Sequence, residues 1–168
     1  MADALGYPLL CMDDVKERLA DAIGPAASEY TDLLGDAAVR AVIETAQELL
    51  EHGQSVIVEG FFQSDRYSAD FAPLTAVADS VLVHLRADDA VLKDRYEQRA
   101  LEEVRHWIHG DRENLPAMTP ELPAYMAKRL HLDIPQLIID TTQQPVDVSA
   151  TVSLILRELQ PQLSELSA

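Results

Sequence analysis

The sequence lacks most of what would staple a fold, cross a membrane or hold a nucleic acid. Cys11 is its only cysteine, so no internal disulfide forms, and the composition fits a reducing cytoplasm. No apolar run approaches the roughly 20 residues of a bilayer-spanning helix. The first residues carry no basic segment followed by an apolar core, the pattern of a secretory signal. Basic residues are scarce: 13 Lys and Arg stand against 29 Asp and Glu, a net charge of −16. Such a surface repels phosphate backbones and anionic lipid, which argues against general nucleic-acid or membrane binding. A small polar substrate at a local basic site is compatible with it.

What is present is a globular composition. Hydrophobic residues make up 48% of 168, enough for one compact domain over residues 1–168 with a core of its own. Residues 1–6 read as the last turn of a helix stopped by Gly6. Four short apolar segments read as strands: residues 8–12, 55–59, 80–85 and 136–140. Their Val/Ile-rich runs alternate little, the pattern of parallel strands covered on both faces. Helical patterns lie between them. Residues 14–23 form a short one. Residues 36–52 put Ala38, Val42, Ala46 and Leu49 on one stripe. Residues 88–103 run through Val91, Leu92, Tyr96 and Leu101, and residues 147–159 through Val148, Val152, Ile155 and Leu159. The alternation predicts an α/β fold, a parallel sheet flanked by helices. Residues 61–73 read as a polar-aromatic loop leading into a short helix. Residues 105–120 read as a mobile polar loop, followed by a helical pattern over 121–130.

Several groups could carry chemistry. Asp13 and Asp14 sit where the first strand hands over to a helix, and open parallel sheets bind ligands beyond the carboxyl ends of their strands. A carboxylate there can take a proton from a hydroxyl. The competing reading is a capping box, with Asp14 as N-cap and Glu17 three residues on; Asp13 could point at a ligand while Asp14 caps. Lys16 lies in the first turn, where a cation opposes the helix dipole and an anionic ligand would relieve it. Glu59 ends the second strand, placed to hold a magnesium-bound water or a substrate group, or simply to meet solvent. Phe61, Phe62, Asp65 and Arg66 could line a pocket or anchor a loop. Arg95, Arg99, Arg105 and Arg112 gather in one helix and the segment after it. Arginine's planar fork suits phosphate; the plainer reading is ion pairing with Asp94, Glu97, Glu102 and Glu103. His106, His109 and Asp111 have a spacing that can hold a metal, but a polar loop explains them equally. Asp140, Thr141 and Thr142 end the last strand as a capped turn or a nucleotide contact.

Taken in order, these segments resemble P-loop kinase-like proteins, the group that spans zeta-toxin, chloramphenicol phosphotransferase and polynucleotide kinase types and many AAA-family ATPases. The matching pieces are Leu9-Leu10-Cys11-Met12-Asp13-Asp14-Val15-Lys16, Val56-Ile57-Val58-Glu59-Gly60, Arg95-Tyr96-Glu97-Gln98-Arg99-Ala100, Arg105-His106 with Asp111, and Leu137-Ile138-Ile139-Asp140-Thr141-Thr142. The resemblance implies a three-layer sandwich and ATP-dependent phosphorylation of a hydroxyl on a small molecule or nucleotide-like substrate, with ATP and Mg2+. It implies Asp13 as the carboxylate that activates the acceptor. Lys16, Asp14, Phe62 and Arg66 would touch the substrate, and Glu59 would stand near magnesium. Arg99 and Arg105 would close on phosphates from a lid over residues 105–120. Arg95 and Thr142 would contact the nucleotide.

One family element is missing. Gly-x-x-x-x-Gly-Lys-Ser/Thr occurs nowhere in the 168 residues. In the family its strand is the first and lies centrally, in sheet order 2-3-1-4-5, so two inner edges are expected to stand open. Three explanations follow: an N-terminally incomplete chain, a natural relative without the loop, or a strand supplied by another chain. Phosphotransfer is expected to be impaired in each. Open edges also raise the prospect of a homodimer, or of a non-catalytic binding protein.

Overall fold

The computed structural model describes residues 1–102, 105–143 and 146–165. A single turn, α1 (Ala2–Leu5), closes on Gly6 in the left-handed conformation, φ 69° and ψ 24°. This is the helix stop read from the sequence. Strand β1 (Leu9–Cys11) runs directly into α2 (Met12–Ile23). A 3-10 turn (Pro25–Tyr30) then leads into α3 (Thr31–Glu51). This helix starts five residues before the expected position 36, because Leu34 extends the buried Ala38–Val42–Ala46 stripe by one more turn. Strand β2 (Ile57–Glu59) is followed by α4 (Ser64–Val77), β3 (Leu82–Arg86) and α5 (Asp89–Leu101). A second 3-10 turn (Trp107–His109), α6 (Asp111–Met126), β4 (Gln136–Asp140) and α7 (Val148–Glu165) complete the order.

Two segments expected to be loops are helical. Residues 64–73 belong to α4 despite Pro73, since Phe71 and Leu74 flank that proline and are both buried. Their packing outweighs the lost amide hydrogen bond. Residues 111–120 belong to α6 despite Pro116 and Pro120. That helix lies along α5 and keeps Leu122 buried. Tertiary contact, absent from a local reading, holds both.

The strands form two parallel pairs. β1 pairs with β2 in the register Leu9↔Ile57, Leu10↔Val58 and Cys11↔Glu59. β3 pairs with β4 from Leu82↔Gln136 to Arg86↔Asp140. β2 and β3 are not bonded to each other, yet both pairs reach one core. Val39, Val42 and Ala46 of α3, Phe71 and Leu74 of α4, and Phe62 and Leu130 are buried together, with Leu10, Val58 and Leu82 against them. Phe62 meets Phe71 edge-on at 4.8 Å between ring centroids. A smaller cluster joins Ala20, Ala27, Leu34 and Ile108.

The expectation that the strands are covered on both faces is corrected. Leu85 is 58% exposed, and Leu9 and Ile138 are also open. β4 alternates, with Leu137 and Ile139 turned inward and Gln136, Ile138 and Asp140 outward, as in a sheet covered on one face. Leu101 and Val148, expected on inner stripes, are exposed; Ala100 of α5 and Thr151 of α7 are buried instead.

Phe71→Ala is expected to cost about 3–5 kcal/mol of stability. Leu33→Ala, at an exposed position on α3, should stay within about 0.5 kcal/mol. Denaturant unfolding of both variants checks this.

Candidate functional site

The site begins where β1 becomes α2. The helix starts at Met12 with Cys11 as its N-cap residue, and no side chain caps it. This corrects the capping-box reading: Asp13 and Asp14 are both inside the first turn. Their charges favour the helix dipole and leave both carboxylates available to other partners. Asp14 is exposed; Asp13 and Lys16 are half-buried. Next to β1, the end of β2 comes very close. A Cβ on Gly60 would sit 2.9 Å from the Met12 Cβ and 2.9 Å from Phe62 Cζ, so only glycine lets these strand ends meet. There the Cys11 thiol donates to Glu59 Oε2 at 2.9 Å. Burial, then this bond, push the thiol up to about 11, so Cys11 is a protonated donor and not a nucleophile.

The segment after α5 docks on α2. Ile108 is 3% exposed and fills the small core beside Ala20, Ala27 and Leu34. Its carbonyl accepts from Thr31 Oγ1 at 3.0 Å. Around this plug runs a charged ladder. Asp13, Glu17 and Asp21 follow one another at four-residue steps, which places them on one face of α2. Asp13 pairs with Arg105, Glu17 with His109 at 2.9 Å, and Asp21 with His106 at 3.0 Å. Asp111 joins two arginines, taking Arg99 Nε at 2.9 Å and Arg105 Nη1 at 3.5 Å. Burial lowers the Lys16 ammonium, and Arg105 adds to that, while Asp13, Asp32 and Asp111 oppose it.

The structure therefore brings together Asp13, Lys16, Arg99, Arg105 and Asp111. Other candidates lie elsewhere. Arg95 donates to the Thr141 carbonyl at 2.6 Å and to Thr141 Oγ1 at 3.2 Å, closing the end of β4. Thr142 Oγ1 accepts the Asp88 amide at 3.0 Å. Arg66 pairs with Asp36, which also accepts from Tyr67 at 2.7 Å. Phe62 stands in the core. The side chain of Asp65, and Glu103 as a possible arginine partner, lie outside the described residues. The metal-like spacing of His106, His109 and Asp111 is taken up by three separate partnerships. Among the described residues no group of three or more His, Cys, Asp or Glu is placed to hold a metal ion. Residue type alone does not mark Glu17 and Asp21 as partners, or Asp111 as a link between arginines; the four-residue step from Asp13 is the available signal.

No protein family and no curated protein matches this sequence. A solved structure does: that of a "putative kinase" from Chloroflexus aurantiacus, with a TM-score of 0.74 and 27% identity, covering 94% of this chain and 86% of that one. The fold is kinase-like. Within this kinase-like α/β fold, no helix among the described residues is long and apolar enough to cross a membrane.

His109 tests the docking. Burial, then Arg105, hold its imidazole below the ordinary value of about 6.5, against the opposing effect of Glu17. The folded state thus favours the neutral ring. Its contribution is present above the unfolded value and is lost as pH falls through the depressed folded value. Unfolding followed by Trp107 fluorescence should show stability falling on acidification below about pH 6.5. His109→Gln should flatten that fall.

Proposed function

We propose that this kinase-like domain is built for ATP-dependent phosphotransfer to a hydroxyl of a small molecule or nucleotide-like substrate. One observation carries the reading. A carboxylate at the end of a parallel strand, Asp13, pairs with Arg105, which is joined to Arg99 through Asp111. Phosphoryl transfer needs little covalent help from the protein; it needs a positioned hydroxyl and neutralised charge. Asp13 accepts the proton of the acceptor hydroxyl. Lys16, one turn along α2, touches the substrate, with Asp14 beside it and Arg66 further out on α4. Phe62 forms the wall behind Gly60. Arg99 and Arg105 bind phosphate oxygens, and residues 105–120 act as the lid, hinged on the Ile108 plug. Arg95 and Thr142 shape the nucleotide side at the β4 end.

When bound, ATP supplies the phosphoryl group and Mg2+ offsets its charge. Magnesium is held by one or two carboxylates and completes its shell with water and phosphate oxygens, so the exposed Glu59 carboxylate suits it alone. The arginine pair suits a polyphosphate, but the backbone cradle of a glycine-rich loop is not among these residues. The pairing pattern supports the same account. Two strand pairs, β1 with β2 and β3 with β4, are what the family sheet order leaves when its central strand is taken away. We therefore propose that phosphotransfer by these 168 residues is impaired.

The single paired edge of each of β2 and β3 favours a second reading, an interaction protein that joins copies by strand addition.

Mg-ATP is expected to raise the melting temperature, and Arg99→Ala with Arg105→Ala should remove that rise. Phosphotransfer by the 168-residue chain should stay far below that of an intact kinase; comparable turnover would overturn the impairment. Light scattering separates the two readings, since strand addition requires a dimer.

A further inference from the structure

Arg105 is held between two carboxylates of different character. Asp111 is the fixed one: its side chain is 12% exposed, and it is shared with Arg99. Asp13 is the open one, 31% exposed, at the mouth of β1. The backbone of the arginine segment is anchored by Ile108 and by the Thr31 bond to its carbonyl, so the guanidinium can change partners without moving the chain.

We propose that Asp13 is an internal gate on the phosphate clamp, competing with a polyphosphate for Arg105. This rests on the phosphotransfer reading and adds its regulation. Asp13 is free to meet an acceptor hydroxyl only when Arg105 leaves it. Two phosphate oxygens accept from the same guanidinium fork and carry an equal or greater charge. Arrival of the polyphosphate therefore draws Arg105 away and frees Asp13 in one event. Asp111 stays with Arg99 and keeps the second arginine in place. Asp13 thus meets the acceptor only once phosphate is in the clamp. Lys16, close to both groups, compensates part of the charge left on Asp13.

The test is calorimetric titration of tripolyphosphate into the full chain. Asp13→Asn should bind about tenfold more tightly than the unaltered protein, the effect of removing one close negative charge. Asp13→Ser provides a second removal of that charge should the first variant fail to fold. Adding Arg105→Gln to Asp13→Asn should abolish the gain. Glu44→Gln makes the same change in net charge at an exposed position on α3 and should leave affinity unchanged. Equal affinity in the Asp13 variants and the unaltered protein overturns the gate and leaves the clamp standing. An equal gain in Glu44→Gln overturns the gate as a bulk charge effect. Absence of tripolyphosphate binding in every variant overturns the clamp, and the gate with it.

Discussion

The docking of residues 105–111 on α2 is the constraint on which the site depends. It combines one apolar plug with a row of charge-assisted bonds. Ile108 removes its side chain from water among Ala20, Ala27 and Leu34, and this sets the depth of the segment. The ladder from Asp13 to Asp21 sets its register along the helix. Neither part suffices alone. Such bonds are worth little each where they face solvent, and salt screens them, and a single buried isoleucine fixes a point but not a direction. Together they deliver Arg105 to Asp13 and bring Asp111 within reach of Arg99.

The electrostatics of the chain make this local arrangement unusual for its surroundings. With 29 acids against 13 Lys and Arg, most carboxylates have no cation to meet. The protein concentrates cations instead. Lys16, Arg99 and Arg105 converge at one strand end, against Asp13 and Asp111. An acidic body around such a site repels long polyanions while leaving room for a compact one. Arg86 and Arg95, by contrast, are spent at the end of β4. Arg86 meets Asp140 across the strands at 3.1 Å, and Arg95 bonds the Thr141 carbonyl. Four-residue spacing put Arg95 and Arg99 on one helix face, yet their partners lie on different elements.

The sheet carries the other constraint. Both strand pairs contribute to one core through Leu10, Val58 and Leu82, but no ladder joins them. They meet in the cluster formed by Val39 and Val42 of α3 with Phe71 and Leu74 of α4. Gly60 belongs to this economy of space. It allows β2 to close on Met12, which places Glu59 and Cys11 side by side at the mouth of the site. The kinase-like likeness found among solved structures rests on this arrangement of helices and strands.

The strands were legible because short Val/Ile-rich runs between polar turns have few other uses; residues 136–140 coincide with β4. The α3 stripe was legible because its burial follows a helical period. The helices over residues 64–77 and 111–126 were not, since prolines argue locally against them and only packing on the core and on α5 reverses that. Asp13, Glu59 and the arginines stood out from residue type and position at element ends. Their partners did not: Asp111 is twelve residues from Arg99, and Asp13 is 92 from Arg105. Sequence by itself determined which segments would bury apolar surface and which charged groups were available, because both follow from local pattern. Tertiary structure alone decided which charges meet, because an ion pair between distant residues depends on how an apolar plug seats one element against another.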